Sequence, residues 1–305
     1  MNDSIRDPRD SGAGGANDDL RARMLIDPQA LLQRLDDDTT VVLDAHVDLP
    51  SPRFDGDYRV TSGYDAWLAE RIPGSRHADL IDALSAPHAS LSFMRPTSDA
   101  LADALSRLGV GEGARVVVYD RADGFWAARL WWLLRWIGID AQVLDGGWQG
   151  WLAAGLPTQR GAASPVVARP LVARVREGLW AAREDVEAAL AGRLSRTLVC
   201  ALSEAAFSGR APSRYARRGH IPGSVNLPAR DLFDAQGRYL AQAELQTALA
   251  SLDANTPVLL YCGGGISAAV DALALTLTGR TDVSVYDGSL QEWAADFTLP
   301  LEISD

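Results

Sequence analysis

The chain is 305 residues long, 47% hydrophobic and carries a formal net charge of −11, which suits about two domains with sizeable cores and argues against general nucleic-acid binding. It contains no lysine, so all 29 basic residues are arginine; this excludes lysine Schiff bases, lysine-bound pyridoxal phosphate and a P-loop lysine. No apolar run approaches the roughly 20 residues that span a bilayer, and two cysteines, Cys200 and Cys262, make no disulfide framework and fit a reducing, cytoplasmic setting.

In chain order, the first twenty residues are polar, rich in Gly, Asp and Asn, and have no apolar stretch of the signal-peptide kind. They predict a disordered tail over 1–23. A first domain is expected over 24–160. Its β-rich runs are Val41–Leu43, Val116–Tyr119 and Gln142–Leu144, with helical stretches between them such as Ser98–Leu108 and Ala127–Ile137. Trp131, Trp132 and Trp136 sit at helical spacing in an apolar stretch and read as core. The Ala- and Pro-rich run from Gly161 to Pro170 opens a predicted linker, 161–177. A second domain is expected over 178–305, with β-rich runs Leu198–Ala201, Val258–Tyr261 and Val283–Tyr286 and helical stretches Gln242–Leu252 and Ser267–Thr278. Alternation of this kind predicts an α/β fold with a mostly parallel sheet flanked by helices in each domain.

The two halves repeat one another. Val116-Val117-Val118-Tyr119-Asp120 parallels Val258-Leu259-Leu260-Tyr261-Cys262, and Val143-Leu144-Asp145-Gly146 parallels Val285-Tyr286-Asp287-Gly288, both at an offset of 142 (262 − 120 and 287 − 145). Ile72-Pro73-Gly74-Ser75 answers Ile221-Pro222-Gly223-Ser224, and Leu156-Pro157 answers Leu299-Pro300. Several motifs at a near-constant long offset imply two domains of one fold.

Cys262 ends an apolar strand and opens Gly263-Gly264-Gly265-Ile266-Ser267-Ala268, a glycine turn leading into a helix. Such a junction converges backbone N–H groups and a helix dipole on the thiol, and both favour a thiolate. Three glycines directly after a cysteine have little value for ordinary core packing. In open α/β sheets ligands bind beyond the carboxyl ends of the strands. There the first half has Asp120 followed by Arg121-Ala122-Asp123-Gly124, without a thiol. One active site is therefore expected, in the second half, with the first half as scaffold and a wall of the cleft. The four histidines (His46, His77, His88, His220) and two cysteines show no paired metal-ligand spacing.

Through Gly219-His220-Ile221-Pro222-Gly223-Ser224, the Cys262 loop, Tyr286-Asp287-Gly288-Ser289 with Glu292-Trp293, and in the first half Ala128-Arg129 with Trp131-Trp132 and Leu144-Asp145-Gly146-Gly147, the chain resembles the tandem-domain rhodanese-like sulfurtransferases. The resemblance covers nearly everything after the tail. It implies two rhodanese-like domains, a Cys262 persulfide, and transfer of a sulfane sulfur from a small donor to a thiol, thioredoxin-like or cyanide acceptor. It implies no cofactor and no metal, and no nucleic-acid or membrane partner. The amides of Gly263, Gly264, Gly265, Ile266, Ser267 and Ala268 would then cradle the persulfide anion. Thiosulfate-specific relatives carry basic residues after the cysteine, whereas mercaptopyruvate-using ones carry Cys-Gly-Ser-Gly-Val-Thr. The uncharged loop here is nearer the second pattern, which favours 3-mercaptopyruvate over thiosulfate.

The chain departs from the family pattern at four places. Gly264 stands for a loop Ser/Thr, Arg71 for a histidine before the first Ile-Pro-Gly, Cys200-Ala201-Leu202 for Asp-Ala-Arg, and Ala206 for a substrate-binding arginine. Arg210 and Arg214, with Arg71, are candidates for the missing anion contact, against a reading of the first two as solvated loop. Cys200, on a neighbouring strand, is a candidate redox partner for Cys262, against a reading as a packed thiol. His220 reads as part of a turn motif. Two other functions compete. A cysteine phosphatase needs an arginine six residues after the cysteine to clamp the oxyanion, and Ala268 occupies that position. A non-catalytic or sulfur-carrier module remains the alternative, because of the four departures.

Overall fold

The computed structural model describes residues 19–87 and 90–304. Positions 1–18 of the expected tail, and His88, lie outside the described residues. Residues 19–24 are helical, which corrects the expected tail boundary. Arg21 anchors this segment by donating to Asp145 Oδ2 at 3.1 Å and to the carbonyls of Tyr239 and Leu240 at 2.7 and 2.8 Å.

The strands of the first half are β1 (Leu25–Ile26), β2 (Thr40–Asp44), β3 (Val47–Asp48), β4 (Thr61–Ser62), β5 (Arg76–His77), β6 (Arg115–Tyr119) and β7 (Gln142–Leu144). Five of them form a parallel sheet in the order β1-β7-β6-β2-β5, and β3 pairs β4 as a separate antiparallel ribbon. The second half contributes β8 (Trp180–Ala181), β9 (Thr197–Cys200), β10 (Val225–Asn226), β11 (Val258–Tyr261) and β12 (Val283–Tyr286). These form a second parallel sheet that reads β8-β12-β11-β9-β10 from the matching edge. The strand orders are the same, so the repeat in the sequence is a repeat of the whole topology.

Small contacts repeat as well. The Tyr119 hydroxyl meets Ser75 Oγ at 3.2 Å, and Tyr261 donates to Ser224 Oγ at 2.8 Å. Each closing Leu-Pro is held by a tryptophan: Trp151 Nε1 donates to the Pro157 carbonyl at 2.9 Å and Trp293 Nε1 to that of Pro300 at 2.8 Å. The central strands are buried on both faces, as expected for parallel sheets covered by helices, and β11 is buried throughout.

The two sheets are joined by a common core. The helix Phe125–Trp136 of the first half packs against the helix Ser267–Leu277 of the second. Each is apolar around nearly its full circumference, the pattern of a helix with no solvent face. Trp131, Trp132 and Trp136 are buried in this shared core. Residues 161–177 carry no helix or strand and run along the first half, with Arg169, Arg174 and Arg176 bonding through their amides to Ser106, Ile137 and Trp136.

Candidate active site

Cys262 follows the carboxyl end of β11 and precedes the buried helix Ser267–Leu277, whose N-terminus faces it. The glycines after it have separate reasons. A side chain at Gly263 would collide with the Tyr215 hydroxyl, 1.8 Å from where its Cβ would lie. Gly265 has φ +75° and would meet Arg129 at 3.0 Å. Gly264 is the least crowded of the three: a Cβ there would meet Gln291 Nε2 at 3.3 Å, a tight contact that this side chain must relieve by moving.

The first half shows what this loop does to an anion. Asp120 occupies the position of Cys262 at the end of β6, and its carboxylate is wrapped by the loop that follows. Oδ1 accepts from the amides of Ala122 and Gly124, and Oδ2 from those of Trp126 and Ala127, all at 3.0 Å. Burial and then the Asp123 charge hold this carboxyl above its ordinary range, against the opposing pull of the amides. The offset of 142 places Gly264, Ile266, Ala268 and Ala269 at the matching positions around Cys262. Among the described residues, no protein acceptor meets the amides of Gly264, Ile266 and Ala268. The second loop is a variant of the first and not a copy: its left-handed residue is Gly265 where the first half has Gly124, one position later in the repeat, and the Ala269 amide donates to the Ile266 carbonyl at 3.0 Å.

Three groups fix the cysteine loop from behind. Ser289 holds a left-handed backbone, φ 49°, where the first half has Gly147 at φ 54°. Its hydroxyl donates to the Tyr286 carbonyl at 2.8 Å and accepts from the Cys262 amide at 3.2 Å, which offsets the strain of a side chain in that region. Gln291 donates its amide N–H to the Gly263 carbonyl at 2.9 Å, and its side chain exchanges two hydrogen bonds with the backbone of Ser92 at 2.9 and 3.1 Å. Arg129, on the first half's buried helix, donates to the carbonyls of Gly265 at 3.3 Å and Phe93 at 2.6 Å, and pairs with Asp287 Oδ1 at 2.7 Å. Its guanidinium lies 4.8 Å from the Trp180 ring. Arg129, Ser289 and Gln291 escaped sequence reasoning, although Arg129 and Ser289 stand inside motifs that were read as signatures. The one available signal was a serine where the repeat has Gly147.

Cys262, Gly263, Gly264, Ile266 and Ser267 form the floor of a cleft of about 320 Å³ between the halves. Leu49, Ser51, Pro52, Asp123, Phe125 and Trp126 of the first half wall it on one side. Tyr215 also lines it, and burial followed by the Cys262 charge raises its phenol above the ordinary range, so at neutral pH it presents an O–H beside the loop.

The structure separates the three candidate arginines. Arg214 lines the cleft and donates to the Pro50 carbonyl at 2.8 Å. Arg210 is turned to Glu204 in an exposed ion pair and does not line the cleft. Arg71 is buried against Trp67, with its guanidinium 4.5 Å from the ring, and donates to the carbonyls of Gly161 and Ala162. It holds the chain's exit from the first half, as His220 holds the matching pairing with Glu302, and is removed from the substrate-binding set. Two arginines not singled out from the sequence, Arg218 and Arg230, do line the cleft.

Cys200 is also corrected as a redox partner. The register pairs Cys200 with Tyr261, so successive side chains alternate and Cys262 projects to the other face of the sheet. The two thiols accordingly belong to different apolar clusters. Burial pushes the Cys200 thiol up to about 12, so it is a neutral packed group. His220 stacks on Phe207 at 3.6 Å with its Nδ1 at 2.9 Å from the Phe207 carbonyl, a structural position away from the thiol.

The chain matches the family model of the rhodanese-like domain over residues 27–154 and 201–296. It is 30% identical over 282 residues to the 3-mercaptopyruvate sulfurtransferase of Escherichia coli (strain K12), covering 89% of this chain and 95% of that one. It is 33% identical over 255 residues to the mitochondrial thiosulfate/3-mercaptopyruvate sulfurtransferase 1 of Arabidopsis thaliana, covering 76% and 67%. The crystal structure of SseA from Escherichia coli superposes with a TM-score of 0.75 at 28% identity, covering 87% of this chain and 98% of that one.

Proposed function

The chain belongs to the rhodanese-like family, and we propose that it is a sulfurtransferase that carries sulfur as a persulfide on Cys262. The donor class we favour is a thiol-bearing keto acid such as 3-mercaptopyruvate, with thiosulfate second, because no cation follows Cys262 in the loop. In the first half-reaction the Cys262 thiolate attacks the donor sulfur. An S–S bond forms, the C–S bond breaks, and the electron pair leaves on the enolate of pyruvate, which takes a proton from solvent. In the second, an acceptor thiolate or cyanide attacks the outer sulfur and Cys262 departs as thiolate. No net oxidation occurs, and no cofactor enters the balance. Arg214 binds the donor's anionic group and Tyr215 donates a hydrogen bond beside the loop. Small thiols and thioredoxin-like proteins are the proposed acceptors. No helix among the described residues is long and apolar enough to cross a membrane. We place the activity in the cytoplasm on a separate ground, the two free thiols, which a reducing compartment preserves.

The observation that carries this reading is the pair of cradles. Four amides hold the Asp120 carboxylate at 3.0 Å, and we take the amides after Cys262 to hold the outer sulfur of its persulfide in a related way. Preorganised amides of this kind stabilise charge at no cost in reorganisation. The test is a turnover assay with 3-mercaptopyruvate or thiosulfate as donor and cyanide or a dithiol as acceptor. Thiocyanate or sulfide formation that disappears in Cys262→Ser supports the proposal. Equal turnover by the variant removes Cys262 from the chemistry.

A further inference from the structure

We propose, resting on the sulfurtransferase reading, that the donor this cleft selects is a monoanion bearing an apolar body of about the size of one aromatic ring, and that Phe125, Trp126, Leu202 and Ala206 hold that body.

The charge around the cleft is the first reason. Three arginines line it. Arg230 is paired with Asp123 Oδ2 at 2.7 Å, and Arg218 with both oxygens of Asp55 at 2.8 and 2.9 Å. Each acid comes from the first half, so each pair spans the cleft mouth and neutralises its arginine. Arg214 has only the Pro50 carbonyl, which carries no countercharge. One net cation therefore faces the donor, which suits one negative charge and not two.

The lining is the second reason. In the second half Leu202 and Ala206 stand where the family pattern sets arginines. Both line the cleft and neither is fully buried. From the first half, half-buried Phe125 and the edge of Trp126, 5% exposed, line the same cleft. These rings are held rigidly. Phe125 stacks with Phe233 at 6.1 Å and lies 5.3 Å from the Arg230 guanidinium, and Trp126 meets Phe93 edge-on at 4.9 Å. A preformed apolar wall costs little ordering on binding. A space of about 320 Å³ is of the size that small-molecule sites use for ring-bearing ligands, and a three-carbon keto acid fills only part of it. Apolar contact thus takes the place of charge at these two positions.

Organic thiosulfonates isolate this property, because they hold the charge and the reacting bond constant while the body changes. Cys262 thiolate attacks the terminal sulfur. The new S–S bond forms as the donor's S–S bond breaks, and the sulfinate leaves with the bonding pair, without proton transfer or net oxidation. The experiment measures kcat/KM for thiosulfate, methanethiosulfonate and benzenethiosulfonate, with cyanide as acceptor and the uncatalysed rate subtracted. The expected order places the benzene compound above the methane compound by roughly tenfold or more, the scale on which apolar pockets discriminate, and both above thiosulfate. Phe125→Ala should lower the benzene-to-methane ratio, and Leu202→Arg should move preference toward thiosulfate, each checked for folding by thermal melting. Equal rates, or thiosulfate as the best donor, overturn the inference while leaving the sulfurtransferase reading intact. If no donor of any size, 3-mercaptopyruvate included, sulfurates Cys262, the sulfurtransferase reading itself fails and this inference with it.

Discussion

Arg129 of the first domain and Asp287 of the second meet at 2.7 Å, both buried. Through the Gly265 carbonyl the same guanidinium reaches the turn of the cysteine loop, so a residue of the domain without a thiol positions the loop of the domain that has one. Arg129→Ala leaves Asp287 buried without its partner, and breaking such a pair costs about 3–5 kcal/mol. Arg129→Lys keeps the charge but cannot span three acceptors. Both variants should lower the denaturation midpoint. In the folded fraction kcat should fall by more than KM rises, with Lys the milder of the two. Denaturant titration and steady-state kinetics on the same preparations check this.

Asp120 satisfies four backbone amides in the interior. Asp120→Ala orphans them, at a cost of roughly 1–3 kcal/mol for each buried group left unpaired. The variant should lose several kcal/mol of stability in urea unfolding, although the residue touches no substrate. A neutral result would show that water enters the loop and that the cradle is not a rigid template.

Gly264 is the loop glycine of the Cys262 turn where a side chain meets only one movable neighbour, Gln291. Gly264→Ser should fold with only a slight shift of the Gln291 side chain, 3.3 Å from the new Cβ. It restores a hydroxyl beside the thiol and should raise kcat with 3-mercaptopyruvate several-fold. Gly263→Ser, which drives Cβ into the Tyr215 hydroxyl, should instead lose both activity and stability. Side-by-side kinetics and melting curves separate the two positions.

Asp271 lies fully buried in the helix after the loop, and its carboxyl oxygens have no hydrogen-bond partner. Burial, and then the Cys262 charge, raises its pKa well above the ordinary carboxyl value, whereas in the unfolded chain it titrates near about 3.9. The folded state therefore holds a proton that the unfolded state releases. This contribution to stability is full below the unfolded pKa and is lost as pH rises through the folded one. Asp271→Asn carries no such dependence. The stability of the variant relative to the native chain should increase from acid to alkaline pH, read by denaturant unfolding at several pH values. A gap independent of pH would contradict the assignment.

The long central strands and helices were legible in the sequence because apolar runs and helical periodicity extend over enough residues to be read. The edge strands β1, β5, β8 and β10 are two residues each, too short to carry a pattern, and they exist because a central strand offers them a partner. The repeat exposed the topology and the Asp120–Cys262 equivalence. The faces of the strands were harder. Cys200 and Cys262 stand on neighbouring strands, and only the register, Cys200 opposite Tyr261, sends their side chains to opposite faces. Arginine was hardest of all. Arg71, Arg129, Arg210 and Arg214 are alike in sequence, and only the folded chain assigns one to a tryptophan face, one to the loop, one to a surface glutamate and one to the cleft.

The central claim is a persulfide on Cys262 held by the loop's amides. The most direct test is intact-protein mass spectrometry after brief exposure to a sulfur donor, with peptide mapping of the adduct. The account predicts the gain of one sulfur per chain, located on Cys262, absent in Cys262→Ser, and removed by cyanide as thiocyanate. A sulfur adduct mapped to Cys200, or no adduct with any donor, contradicts it.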